Sequence, residues 1–232
     1  MNIHGLQKVT LLDFPGCVAC TVFTAGCNFR CPFCHNASLV LPELFPEPVR
    51  EEDFFAFLQK RQGILDGVAV TGGEPLLHPD TPDFLRKIQD MGFKVKLDTN
   101  GSFPERLRKV VEAGLVNRVA MDIKNAPEKY PETVGVPHFD VAPIRESAAF
   151  LMEGHVPFEF RTTVVKPLHQ WEDFAAIGAW IAGDEPYYLQ SFTDSGELID
   201  GGTLSAWDAE TLQTFADTVK PYVPNTYLRG IE

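Results

Sequence analysis

The sequence predicts an α/β fold, a partial (β/α)6 barrel of parallel strands open on one side. Three observations carry this. Short β-rich runs alternate with helical patterns along the whole chain, an order that right-handed crossovers turn into a parallel sheet. About six such units fit in 232 residues, fewer than the eight of a closed barrel, whose typical length is ~250. The residues with chemistry to offer follow successive strands directly, at the edge where parallel sheets bind ligands. A flat, doubly wound sheet is the second architecture the same pattern allows.

The strand runs, in order, are Val18 to Phe23, Gly67 to Thr71, Lys94 to Asp98, Arg118 to Asp122, Phe158 to Val165 and Tyr187 to Gln190, with a weaker seventh at Thr226 to Leu228. Each is rich in β-branched or aromatic residues and bounded by turn formers. The helical patterns run from Glu51 to Arg61, Thr81 to Met91, Pro104 to Ala113, Pro143 to Glu153, Trp171 to Ile181 and Ser205 to Val219. The first begins with three acidic residues and ends in Lys60-Arg61, which suits the helix dipole. Glycine stops five of the six, and Pro221 follows the last. No repeat or linker divides the chain, so residues 1–232 read as one domain.

Composition narrows the class. Twenty Lys and Arg against 32 Asp and Glu give a net charge of −12, and no basic cluster appears. Broad binding to nucleic-acid phosphates is therefore not expected. No apolar run approaches the roughly 18 residues of a membrane span, and the first residues lack a basic region followed by an apolar core. A cytoplasmic protein is expected. All five cysteines, Cys17, Cys20, Cys27, Cys31 and Cys34, lie near the N-terminus, unlike the dispersed cysteines of a disulfide scaffold.

Cys27, Cys31 and Cys34 form a C-x3-C-x2-C pattern after the first strand run. Three thiolates so close can wrap one four-iron cluster and leave its fourth iron without a protein ligand. An open coordination position separates a reactive metal site from a structural one. The competing reading joins Cys17-x2-Cys20 to Cys31-x2-Cys34 as a four-thiolate zinc site. It is disfavoured because an offset of three puts Cys17 and Cys20 on opposite faces of an extended strand, and Val18-Ala19 is a poor turn. Cys17 and Cys20 are expected to be buried or incidental thiols.

The later strands end in Gly72-Gly73-Glu74-Pro75, Asp98-Thr99-Asn100-Gly101, and Asp122 with Lys124, while Arg161 lies within the fifth. One such cluster is a turn; several in succession describe a site. Gly72 and Gly73 let backbone approach a ligand closely, and either Glu74 or the neighbouring carbonyls can accept from an ammonium group. Arg161 suits a carboxylate.

The C-x3-C-x-aromatic-C motif, with Phe33 as the aromatic, resembles the signature of the radical S-adenosylmethionine enzymes. Asp98 to Gly101, and Met121 to Lys124, resemble the D-T-N-G and L-D-L-K segments of the glycyl-radical-enzyme activating enzymes among them. The resemblance implies a 4Fe-4S cluster on Cys27, Cys31 and Cys34, with S-adenosylmethionine chelated to the open iron. One electron then yields a 5′-deoxyadenosyl radical that abstracts hydrogen, with no catalytic side chain beyond the cofactors. It further implies that Phe33, Gly72, Gly73, Glu74, Asp98, Thr99, Asn100, Asp122, Lys124 and Arg161 serve the cofactor. Asp98, Thr99 and Asp122 would surround a monovalent cation; the alternative pairs Asp122 with Lys124. Cys34-His35-Asn36 matches the family's C-H-N, while Thr193 stands about where some members carry a histidine.

The stretch from Gly5 to Gly16 looks like that of anaerobic ribonucleoside-triphosphate reductase activating proteins. This implies a glycyl radical enzyme, anaerobic ribonucleotide reductase, as partner and a low-potential donor such as flavodoxin or ferredoxin. Tyr130 to His138 and the C-terminal tail are placed to meet such a partner. The alternatives are an activase of another glycyl radical enzyme, a radical enzyme on a small molecule such as a deazapurine synthase, and an iron-sulfur electron-transfer or sensor protein.

Overall fold

The computed structural model describes residues 1–194, 196–200 and 202–231. Among these, eight strands form one sheet in chain order: β1 (Ile3–Thr10), β2 (Ala19–Thr24), β3 (Gly67–Gly72), β4 (Lys94–Thr99), β5 (Arg118–Asp122), β6 (Phe158–Val164), β7 (Tyr187–Ser191) and β8 (Thr226–Arg229). The β1–β2 pair is antiparallel and every later pair is parallel. The sheet ends at β1 and β8 without closing.

Helices fill the crossovers: α1 (Ala37–Val40) and α2 (Glu51–Gln59), α3 (Thr81–Asp90), α4 (Pro104–Glu112), α5 (Tyr130–Thr133) and α6 (Ala142–Met152), α7 (Trp171–Trp180), and α8 (Ala209–Val219). Strand order decides between the two architectures left open by the sequence. Successive right-handed crossovers that never reverse direction put every helix on one face, as in a barrel; a doubly wound sheet must reverse. The fold is the partial, open barrel.

β1 and the one-turn helices α1 and α5 are additions to the expected elements, and the last helix starts late. β1 lies in a stretch, Ile3–Thr10, without an apolar alternation, because as an edge strand it buries only its two ends fully. The last helix starts at Ala209 rather than Ser205: Asp208 caps it through Thr211 N at 2.8 Å, and Ser205 instead bridges to Lys166.

The period of two along each strand sorts the residues. Val68, Val70, Val95, Leu97, Val119 and Met121 are buried toward the helices, where Leu85, Ile88, Leu107 and Val110 meet them. The alternate positions line the concave face, and they are either small, as Ala69 and Ala120, or charged: Lys96, Asp98, Asp122, Glu159 and Arg161. Apolar burial thus holds the sheet to its helices while the opposite face carries charge toward the carboxyl edge.

Candidate functional site

The loop after β2 brings Cys27, Cys31 and Cys34 into one cavity of about 190 Å³. Its conformation is fixed from three sides. Arg30 folds over its own loop, its Nη1 donating to the carbonyls of Cys27 and Phe29 at 2.7 Å, while its amide donates to Val134 O at 2.8 Å. Phe29 packs edge-on against Phe139, which stacks on Tyr130. A Cβ on Gly135 would come within 2.2 Å of Arg30 O, so this close approach requires glycine. Tyr130 is fully buried and its hydroxyl accepts from Lys124 N at 3.0 Å. The segment from Tyr130 therefore clamps the cysteine loop through Tyr130, Val134 and Phe139, while Glu132, Pro137 and His138 of the same stretch stay exposed.

Burial, the largest influence on each thiol, pushes Cys27 up to about 11 and Cys31 up to about 12, and raises Cys34. Thiols raised in this way stay protonated at neutral pH unless a bound metal draws off the proton. Cys20 points into the core of β2, with its thiol likewise pushed up to about 12 by burial. Cys17 lies at the opposite end of the strands, in a second cavity with Phe14, Lys94 and Arg118. The four-thiolate zinc arrangement is thus excluded by placement. Among the described residues no three His, Cys, Asp or Glu groups converge to hold a single metal ion.

Opposite the thiols stand the ends of β3 to β6. Gly72, Gly73, Asp98, Thr99, Asn100, Asp122, Lys124 and Arg161 all line the same cavity, as do Phe33 and His35. Glycine is required at the turn after β3. A Cβ on Gly73 would lie 2.1 Å from Gly26 O, and one on Gly72 would meet the Thr24 backbone at 2.3 Å. The two glycines let β3 run against the start of the cysteine loop, where Glu74 N donates to Gly26 O at 2.8 Å. Asn36 reaches back to donate to Gly72 O at 3.4 Å.

Glu74 faces away from the cavity. Its carboxylate is fully buried behind the strand ends, accepting from Leu76 N at 2.9 Å, Thr99 Oγ1 at 2.8 Å and Asn100 N at 2.7 Å. Burial pushes it up to about 7 against these three donors. Of the two acceptors the sequence offered for an ammonium group, the carboxylate ties β3 to β4, and the cavity-lining backbone is left to accept.

The charges form one connected group. Arg161 contacts Asp98 at 3.1 Å and Asp122 at 3.0 Å, Lys124 bonds Asp122 at 2.9 Å, and the buried Lys96 pairs with Asp98. Burial works to raise the Asp122 carboxyl, but Arg161 and Lys124 outweigh it and hold it at about 2. Three cations face two carboxylates, a surplus that suits a ligand carboxylate. All four carboxylate oxygens of Asp98 and Asp122, the acceptors sought for a monovalent cation, are thus engaged by side-chain cations, and the Thr99 hydroxyl donates to Glu74.

Several contributors have weak sequence signals. Thr163 lines the cavity two residues beyond Arg161 on the same face of β6, a position that the strand period points to. His169 is fully buried; it accepts at Nδ1 from Val165 N at 3.1 Å and donates from Nε2 to Lys124 O at 2.8 Å, holding Lys124 and backing the Phe33 ring. Burial lowers its basicity, so it is neutral in this arrangement. Thr193 is exposed, and its neighbour Phe192 stacks on His35 at 5.6 Å.

A sequence profile of the Radical SAM superfamily matches residues 21–180. A Methanocaldococcus jannaschii protein provisionally named as a glycyl-radical enzyme activating enzyme is 27% identical over 238 residues, covering 99% of this chain and 96% of its own length. The 7-carboxy-7-deazaguanine synthase of Methanopyrus kandleri is 29% identical over 191 residues, covering 74% of this chain and 72% of its own. Among solved structures, Streptococcus suis SuiB bound to S-adenosylmethionine superposes with a TM-score of 0.68 at 15% identity, over 88% of this chain and 48% of SuiB. This chain therefore spans about half of SuiB, and at that identity the likeness concerns the fold.

Proposed function

The chain belongs to the radical SAM superfamily, whose members use a 4Fe-4S cluster and S-adenosylmethionine, and on that premise we propose that it activates a glycyl radical enzyme, anaerobic ribonucleoside-triphosphate reductase, by abstracting a glycine Cα hydrogen. The observation that supports the site is the convergence of Cys27, Cys31 and Cys34 on a cavity walled by the ends of β3 to β6. The donor set fits the group: three thiols share the cavity, and among the described residues no fourth cysteine joins them.

In this reading Cys27, Cys31 and Cys34 ligate the cluster. The backbone of Gly72 and Gly73 accepts from the cofactor ammonium, and Arg161 with Lys124 neutralises its carboxylate. Asp98, Thr99, Asn100 and Asp122 border the ribose side, and Phe33 offers an apolar wall. When bound, the cluster and the sulfonium cofactor supply one-electron cleavage to a carbon radical that abstracts hydrogen. The protein's share is to orient the cofactor and exclude water. A glycine in a partner's loop presents a Cα hydrogen without side-chain bulk, and the open side of the barrel gives it a way in. A flavodoxin or ferredoxin in the cytoplasm would supply the electron.

Likeness to a named activating enzyme along nearly the whole of both chains supports a glycyl radical partner. Likeness to a deazaguanine synthase favours, as second reading, a small heterocyclic substrate. The test is anaerobic reconstitution with iron and sulfide, reduction, and electron paramagnetic resonance with and without S-adenosylmethionine, followed by mixing with the reductase. A cluster signal that shifts with the cofactor, then a glycyl radical on the reductase, is expected. Cofactor cleavage that never yields a protein radical would turn the assignment to the small-molecule reading.

A further inference from the structure

Asn100 is 5% exposed and stands where the end of β4 meets the cysteine loop. Its carboxamide orientation is set by a donor that cannot be reversed: Ser102 N donates to Asn100 Oδ1 at 2.9 Å, and Ser102 Oγ adds a second bond at 2.5 Å. Nδ2 must therefore face the other way. It donates to Asn28 Oδ1 at 3.0 Å and to Cys27 Sγ at 3.8 Å. Asn28 completes the ring by donating from its own Nδ2 to Ser102 Oγ at 3.0 Å. Every donor in this ring has an acceptor, so the amide has one orientation. From below, Glu74 Oε2 accepts from Asn100 N at 2.7 Å and fixes the backbone that carries it.

Among the described residues, Asn100 is the one side chain that donates to any of the three sulfurs. Cys27 Sγ also accepts from Phe29 N at 3.4 Å, an amide of its own loop. Hydrogen bonds to ligand sulfurs are a main lever on cluster potential, because one-electron reduction adds charge that the sulfurs share and a donor stabilises the more electron-rich state.

We infer that Asn100 is a positioning residue for the cluster: its carboxamide donates to the Cys27 thiolate and raises the reduction potential, coupling the β4 end to the ease with which the cluster accepts an electron. The inference rests on the proposed assignment of Cys27 as a ligand.

The experiment compares wild type, Asn100→Ala, Asn100→Asp and Ser102→Ala, each reconstituted anaerobically as the full chain. Iron and sulfide are counted, and the cluster is titrated potentiometrically by electron paramagnetic resonance at one pH, without S-adenosylmethionine. Asn100→Ala is expected to keep its iron and titrate at lower potential. At the wild-type midpoint its reduced-to-oxidised ratio should fall severalfold, and a tenfold fall corresponds to about 59 mV. Asn100→Asp keeps the acceptor for Ser102, loses the donor and adds a negative charge, so it must fall further than Asn100→Ala. Where the alanine variant loads poorly, an aspartate variant that titrates with wild type still overturns the inference. Ser102→Ala loosens the ring and leaves the donor, and is expected to titrate with wild type. Loaded Asn100 variants that titrate with wild type overturn the inference, as does a Ser102→Ala shift equal to that of Asn100→Ala. A wild-type chain that takes up no cluster sinks the underlying assignment, a separate outcome read from the iron count.

Discussion

Arg161 holds Asp122 through two guanidinium nitrogens, Nε and Nη2, each 3.0 Å from the same carboxylate oxygen. Its third nitrogen reaches Asp98 on the far side of β5 at 3.1 Å. One side chain thus fixes the ends of β4, β5 and β6 relative to one another.

This pairing has a pH signature. The Asp122 carboxyl falls from 3.8, its ordinary value, to about 2 in the fold. A lowered carboxyl stabilises the folded state fully above its unfolded value and loses that contribution as pH falls through the folded one. The stability advantage of wild type over Arg161→Met should therefore be full above about pH 4 and shrink toward about pH 2. Thermal melts across that window measure it; an advantage independent of pH would refute the assignment.

Asp98 has a second partner in Lys96, which is 1% exposed. Asp98→Ala leaves that ammonium buried beside Arg161 without its nearer carboxylate, and should cost about 3–5 kcal/mol in urea unfolding. Asp98→Asn keeps an acceptor and should cost less, which makes it the better variant for S-adenosylmethionine binding. That binding is expected to weaken more than cluster content; equal affinity in both proteins would remove Asp98 from the cofactor's contacts.

Much of this was legible in the sequence. Strands β2 to β8 announce themselves because each carries β-branched or aromatic residues, as Val68 and Val70 in β3 and Tyr187 in β7, and the chemistry-bearing residues follow them because parallel strands end together. β1 was missed since an edge strand needs only partial burial. A sequence places Glu74 beside the cavity but carries no sign of which way its carboxylate turns; the three buried donors around it decide that. The clamp by Tyr130 and Phe139 was equally hidden, because aromatic residues in a loop look the same whether they await a partner or pack on a neighbouring loop.

Gly73→Ala tests the close approach after β3. Its methyl group has nowhere to go but into Gly26 O, 2.1 Å away on the unrelaxed backbone. A cost of roughly 1–3 kcal/mol is expected from forced displacement of packed groups. Equilibrium unfolding of the metal-free protein measures the cost, and cofactor binding to the reconstituted protein should fall with it. A variant as stable as wild type would mean that the turn moves freely.

Cys31→Ala should abolish stable cluster uptake while the metal-free protein keeps its circular dichroism. Cys31 is one small buried member of a core that strands and helices mostly supply, and the loss of one sulfur should cost the metal-free fold about 1 kcal/mol. Iron and sulfide counts with unfolding curves decide; global unfolding of the metal-free variant would mark the loop as structural.

Strand order bears on how the protein is made. Each strand pairs with the one synthesised just before it, so no strand waits for a distant partner. The cavity walls run from Cys27 to Thr163 and are all synthesised before β7 and β8 exist. A chain emerging from its N-terminus can lay down the whole binding face in order of synthesis. Phe192 then settles on His35, and Asp200 N bonds Pro32 O at 3.0 Å. The segment made late thus closes over the cysteine loop made early.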